Sequence, residues 1–166
     1  MSISIEIAQE SDTEEIHKIM QSCTKWLNDQ NMMHWENVYP LYKIKLKVAK
    51  KINYILKVEN NIVWTIIIDD KKIIYHKDDE GWKEPNEKAF YISWLAILPE
   101  YMSKGYATNL LDFADKKVKE EGWKYIRFDV VSHYKKLINF YKNRGYGIVS
   151  TRVTGKYESV FFEKSL

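Results

Sequence analysis

The chain has 166 residues, 45% hydrophobic and 30% charged, with a net charge of +3. That length suits one α/β core of ordinary size, and the balance points to a globular protein rather than a disordered or membrane chain. Its 26 Lys and Arg are spread along the sequence and nearly matched by 23 Asp and Glu, so no nucleic-acid or membrane partner is expected. The lone Cys23 excludes an internal disulfide, and no Cys/His cluster has zinc spacing, so no metal is expected. The longest apolar run, 62–68, is too short to span a bilayer, and the first residues lack the basic-then-apolar pattern of a secretory signal. The cytoplasm is the expected location.

In chain order, Ile3, Ile5 and Ile7 alternate with polar residues as in a half-buried strand. Asp12 and Glu15 suggest a capping box, after which Ile16, Ile19, Met20, Cys23, Trp26 and Leu27 recur at helical spacing. Residues 38–51 suggest a second helix with Pro40 near its start. Its lysines, Lys43, Lys45, Lys47, Lys50 and Lys51, read as a solvated helix face, with a nucleic-acid surface as the rival reading. Two β-rich runs, 54–59 and 62–69, flank Asn60-Asn61, a pair suited to a tight hairpin turn.

Residues 77–88 gather Gly, Pro, Asn and charge and are expected as a loop. Its Asp78, Asp79, Glu80, Glu84 and Glu87, with Trp82, fit either a solvated mobile loop or a patch for a cationic amine. A strand is expected from Phe90 to Leu98, ended by Pro99. A helix follows from Tyr106, with Ala107, Leu110, Leu111, Ala114 and Val118 on one face and Gly122 as cap. Then come a strand at 125–131, a helix with Tyr134, Leu137, Ile138 and Tyr141 on one stripe and Gly145 as cap, and strands near 146–152 and 157–164. This order implies an α/β fold in one domain over 1–166: a central mixed, mostly antiparallel sheet with helices on both faces. Its strand-loop-helix-strand middle puts residues 99–107 where such sheets bind ligands.

In LPEYMSKGYATNLL, Gly105 and Ala107 stand where strand gives way to helix. Small residues there let main-chain N–H groups approach an anion, with the helix dipole adding favourable charge, and a pyrophosphate suits the place. An ordinary strand-to-helix turn has the same composition. The segment resembles the phosphate loop of the GNAT superfamily of N-acetyltransferases, Arg or Gln, two residues, Gly, one residue, Gly or Ala, as Met102, Ser103, Lys104, Gly105, Tyr106, Ala107, with Met102 in the leading position. ISWLAILPE is similar to the family's splayed strand, and NFYKNRGY to its second signature, with Tyr134 where an Asn is common. Trp26-Leu27 followed by Trp35 resembles a bacterial branch, and the likeness spans nearly the whole chain.

The resemblance implies a GNAT-like acyl-CoA N-acyltransferase fold and transfer of an acetyl group from acetyl-CoA to a primary amine, by direct attack in a ternary complex. It implies that Met102, Ser103, Lys104, Gly105, Tyr106, Ala107 and Thr108 hold acetyl-CoA, with Tyr134 nearby, and that Leu95 and Ile97 offer main-chain groups to the pantetheine arm. Tyr141 takes the place of the tyrosine that protonates the departing thiolate; a packing tyrosine is the other reading. Candidates for a general base are Glu87, Asp129, His76 and His34; a relayed water with no dedicated base serves equally, and Ser93 could hold such a water. Trp26, Trp35, Trp64 and Trp94 fit an acceptor pocket or the core. The partners are acetyl-CoA and a small amine or peptide amine, the chain acting as monomer or homodimer. A non-catalytic acyl-CoA sensor of the same fold is the alternative, and a preference for longer acyl groups fits the same residues.

Overall fold

The computed structural model describes residues 2–32, 35, 37–76 and 81–166. Its strands are β1 (Ile3–Ile7), β2 (Asn53–Val58), β3 (Asn61–Asp69), β4 (Ala89–Ile97), β5 (Tyr125–Val131), β6 (Gly147–Thr154) and β7 (Tyr157–Ser165). Its helices are α1 (Thr13–Asp29), α2 (Leu41–Ala49), α3 (Tyr106–Glu120) and α4 (Lys135–Asn143). The strands form one open sheet in the order β1-β2-β3-β4-β5-β7-β6. The β1–β2, β2–β3, β5–β7 and β6–β7 pairs are antiparallel, and β4–β5 is parallel. This is the mixed α/β sheet expected from the element order. The chain divides into two compact units, residues 1–68 with 93–113, and residues 69–92 with 114–166.

In the first unit, Ile16, Ile19, Met20 and Cys23 of α1 and Ile44 and Val48 of α2 pack with Ile55, Ile62 and Ala96. Each buried isoleucine contributes about 1.5–3 kcal/mol. Tyr54, pointing from β2 to the opposite face, meets Phe113 of α3 at 5.2 Å between centroids, so helices cover both faces here. Four local expectations change. The reciprocal cap forms one turn earlier than Asp12 and Glu15: Gln9 N–H donates to Asp12 Oδ2 at 2.7 Å, while Glu15 pairs with Lys18. The second helix is shorter than 38–51, because Pro40 stands just before Leu41 as its cap. The hairpin turn is Glu59-Asn60, with φ of 50° and 69°, because Val58 pairs with Asn61 and leaves only those two residues to close the loop. And β1, at the end of the sheet with β2 as neighbour, leaves Ile3 and Ile7 exposed rather than half-buried.

In the second unit β5 and β7 run in register from Tyr125↔Ser165 to Val131↔Ser159. One face is aromatic: Phe128 lies 4.6 Å from Tyr141, 5.0 Å from Tyr146 and 5.3 Å from Phe162. The other carries Tyr91, Arg127, Asp129, Phe161 and Glu163, with Tyr75 and His76 on Asp129 and Trp82 and the Glu84 carbonyl on Arg127. Arg127 Nε donates to Glu163 Oε2 at 2.9 Å, both side chains buried, and its Nη2 donates to the Glu84 carbonyl at 2.7 Å. Trp82 is 6% exposed, with the Arg127 guanidinium 5.1 Å from its ring centre. Glu84 pairs with Lys124 and accepts from Tyr125 Oη at 2.9 Å; the Lys124 bond above all lowers its pKa. Residues 83–88 are thus the exposed loop expected there, but Trp82 is buried on the sheet, and Glu84 already has its cation. Gly81 permits the approach: at φ 89° its missing Cβ would stand 2.7 Å from the Val149 carbonyl oxygen. Asp78, Asp79 and Glu80 lie outside the described residues.

Candidate functional site

In the first unit β4 runs into a 3₁₀ turn, Pro99–Tyr101, and then into α3. The turn binds its own amides: Tyr101 N–H donates to the Leu98 carbonyl at 2.9 Å and Met102 N–H to the Pro99 carbonyl at 3.1 Å. Met102 thus has no main-chain donor to offer, contrary to the expectation for that position. After it the chain turns left-handed at Ser103 (φ 60°) and Gly105 (φ 84°). Among the described residues the amides of Ser103, Lys104 and Gly105 have no main-chain acceptor, and those of Tyr106 and Ala107 open the helix, where no carbonyl precedes them. Five successive donors therefore lie at the positive end of a 15-residue helix, an anion cradle. Ser103, Lys104 and Gly105 are exposed, Ala107 and Thr108 half-buried, Tyr106 buried. Thr108 N–H closes the first turn on the Gly105 carbonyl at 3.0 Å. Lys104 Nζ lies 5.0 Å from the Tyr101 ring centre.

The strand leading to this loop is irregular at Trp94, whose φ of 51° is rare for a bulky side chain. Leu98 N–H bonds to the Val63 carbonyl at 3.0 Å, so by alternation Ile97 and Leu95 turn their main-chain groups away from β3. The parallel register ends at Tyr91↔Arg127. Leu95 is half-buried and Ile97 buried. The Ile97 main chain also meets the buried Cys23 thiol, whose pKa burial pushes up to about 11. The Trp94 ring stacks on Tyr39 at 4.1 Å, Trp35 meets Tyr39 edge-on at 6.3 Å, and Lys47 Nζ lies 5.8 Å from the Trp94 ring centre. Trp35 and Trp94 are partly buried against the core and Trp26 is half-buried; Trp64 is buried, its indole N–H without an acceptor among the described residues. Lys43, Lys45, Lys50 and Lys51 are exposed, the solvated face expected of α2.

In the second unit Tyr141 of α4 is 4% exposed, and its hydroxyl makes no hydrogen bond among the described residues. Burial raises its pKa well above the usual tyrosine range, so it stays protonated. Tyr134 caps α4, its carbonyl accepting from Ile138 N–H at 2.9 Å, and its ring meets His133 edge-on at 4.5 Å. Two base candidates come together: His76 Nε2 and Asp129 Oδ1 are 2.9 Å apart, and Tyr75 Oη donates to the same oxygen at 3.0 Å. Glu87 is exposed and apart from this group, its N–H on the Glu84 carbonyl; Ser93 is half-buried beside Trp94, in the first unit; His34 lies outside the described residues. The sequence gives no sign of Tyr75 or Tyr39 as site residues, nor of the backbone at Trp94. Among the described residues no three His, Cys, Asp or Glu side chains gather as metal ligands, and no helix is long and apolar enough to cross a membrane.

Residues 20–146 match the model of the acetyltransferase (GNAT) family. No curated protein matches the chain in sequence. Its fold is similar to that of a GNAT-family acetyltransferase from Listeria monocytogenes 4b F2365, with a TM-score of 0.82 at 17% identity over 99% of this chain and 95% of that one. It is also similar to the PaiA N-acetyltransferase of Thermoplasma acidophilum in complex with coenzyme A, with a TM-score of 0.67 at 18% identity over all of both chains. For YncA of Salmonella typhimurium with its cofactor acetyl-CoA the TM-score is 0.73 at 12% identity, over 100% of this chain and 95% of that one. With a family model covering most of its length and a fold to match, the chain belongs to the GNAT acetyltransferase family.

Proposed function

We propose that residues 1–166 act as one acetyl-CoA-dependent N-acetyltransferase domain, passing an acetyl group to a primary amine by direct attack in a ternary complex. The observation that carries this reading is the run of five main-chain donors at 103–107, which fits a pyrophosphate. Acetyl-CoA supplies an acetyl group already activated as a thioester. The chain's part is to hold it, polarise its carbonyl and manage two protons.

Ser103, Lys104, Gly105, Tyr106 and Ala107 hold the phosphates through their amides, with Thr108 and the Lys104 ammonium beside them. The main-chain groups of Leu95 and Ile97 hold the pantetheine arm as an added strand would be held. Fixed amides of β4 donate to the carbonyl oxygen as charge develops on it, with no reorganisation to slow the step. Tyr141 donates from its hydroxyl to the departing sulfur. Because burial raises its pKa, the phenol is a steady hydrogen-bond donor rather than a strong acid. Tyr141→Phe keeps the ring packing against Phe128 and removes the donor, so turnover should fall roughly tenfold to a hundredfold, within the usual range for proton transfer, while the Michaelis constant for acetyl-CoA stays within about twofold. Thiol release from acetyl-CoA with a panel of amines measures both. Unchanged turnover would remove Tyr141 from the mechanism, and release with no amine in the panel would favour an acyl-CoA sensor.

A further inference from the structure

Asp129 stands apart from the other well-placed carboxylates of its unit. Glu163 faces Arg127, Glu84 faces Lys124 and Asp115 faces Lys164 at 2.5 Å, each acid with a Lys or Arg of its own. Asp129 has none among the described residues. Its Oδ1 accepts from Tyr75 Oη at 3.0 Å and lies 2.9 Å from His76 Nε2, and its Oδ2 has no partner there. Among the described residues the cations on this face are engaged: Arg127 as above, and Arg152 with the Tyr75 carbonyl at 2.5 Å and the Phe161 ring at 4.9 Å.

The support for Asp129 is closely packed. The His76 side chain is fully buried among Phe161 at 5.0 Å, Tyr75 at 5.2 Å, Trp82 at 5.8 Å and Tyr91 at 6.0 Å. Its Nδ1 is buried without a partner among the described residues, an arrangement with a desolvation cost of about 1–3 kcal/mol. A purely structural histidine gains nothing from that cost, whereas one that fixes a carboxylate does. The Asp129 side chain is 10% exposed, so a ligand can reach one side of it. It also lies two residues beyond Arg127, the last residue of β5 in register with β4, and next to Phe128, which packs on Tyr141 from the opposite face of the strand.

We propose that the Asp129 carboxylate, oriented by Tyr75 and His76, is the docking point for the protonated primary amine of the acceptor. The inference rests on the acetyltransferase reading and deepens it by naming the cation's partner. Ammonium and the open Oδ2 form a charge-assisted hydrogen bond in a site shielded by rings, and His76 and Tyr75 act as positioning residues. Asp129 thus receives the amine on one face of β5 and Tyr141 the sulfur on the other: the ammonium first gives a proton to water, the neutral nitrogen attacks the thioester carbon, and the C–S bond breaks as the sulfur takes up a proton.

The test compares wild type, Asp129→Asn and His76→Gln by calorimetric titration with 1,4-diaminobutane and with acetyl-CoA, alongside thermal unfolding and amine-dependent thiol release. Asp129→Asn keeps size and shape but not charge. It should weaken diaminobutane binding at least tenfold and raise the amine Michaelis constant in proportion, with acetyl-CoA affinity and the unfolding temperature unchanged. His76→Gln retains a donor and should give a smaller, severalfold loss. Equal diaminobutane binding by wild type and Asp129→Asn would overturn the proposal, as would a loss that only follows a lowered unfolding temperature. If wild type binds diaminobutane through Asp129 but releases no thiol, the docking assignment stands and the acetyltransferase reading fails.

Discussion

At residues 103–107 the groups offered to a charged ligand are main-chain amides, three of them on exposed residues, whereas around Asp129 they are side chains packed among aromatic rings and a buried ion pair. The first arrangement depends on backbone conformation and little on which side chains surround it. The second depends on particular atoms at particular places. Substitutions should therefore be tolerated at most loop positions and felt at nearly every position on the Asp129 face, and the two regions can be told apart by experiment.

The largest effect is expected in the side-chain region. Glu163→Gln leaves the buried Arg127 guanidinium without its counter-charge, at a cost of about 3–5 kcal/mol by urea unfolding; a loss under about 1 kcal/mol would show that Tyr91 and the Glu84 carbonyl suffice. In the loop, Gly105→Val puts a β-branched residue at φ 84° but meets no atom within 4 Å, so it should act on conformation alone. Acetyl-CoA affinity should fall about thirtyfold to a hundredfold, on the order of 2–3 kcal/mol, with the unfolding temperature little changed.

A third prediction concerns pH. Cys23, with its thiol pKa raised to about 11 against roughly 8.5 in an unfolded chain, binds more protons folded than unfolded between those values. Its contribution is fully present below about pH 8 and is lost as pH rises towards 11, by about 2 kcal/mol at pH 10. The difference in unfolding free energy between wild type and Cys23→Ala, followed from pH 7 to pH 10, checks it; a constant difference contradicts it. The smallest effect is expected at Met102. Since its amide is already bonded to Pro99, Met102→Gln can add only a side-chain contact, tightening acetyl-CoA by about twofold to fivefold, a hydrogen bond's worth of roughly 0.5–1 kcal/mol. A much larger gain would mean that the loop relies on its side chains after all.

Much of the fold is legible in the sequence because its signals are local. Apolar spacing marks α1, α3 and α4, and Gly105 marks a left-handed turn where a strand meets a helix. What is not legible depends on partners distant in the chain. His76 meets Asp129 across 53 positions, so each reads alone as one of several candidate bases. Trp82 sits in a stretch whose composition suits a solvent-facing loop, and residues 83–88 are exposed, yet its own ring is buried against Arg127. The hairpin turn slips by one residue because strand pairing, which residue preferences do not record, decides which two positions close it.

Trp94 shows one further consequence of the packing. A left-handed backbone at a non-glycine residue costs about 1–3 kcal/mol, and removing the side chain would relieve it. That same side chain, stacked on Tyr39 and set against the α1 and α2 core, gives the reason for the conformation. Strand and aromatic stack therefore oppose each other like a bow and its string: slackening the stack lets β4 straighten, and whatever a straight β4 presents at Leu95 and Ile97 is a different surface.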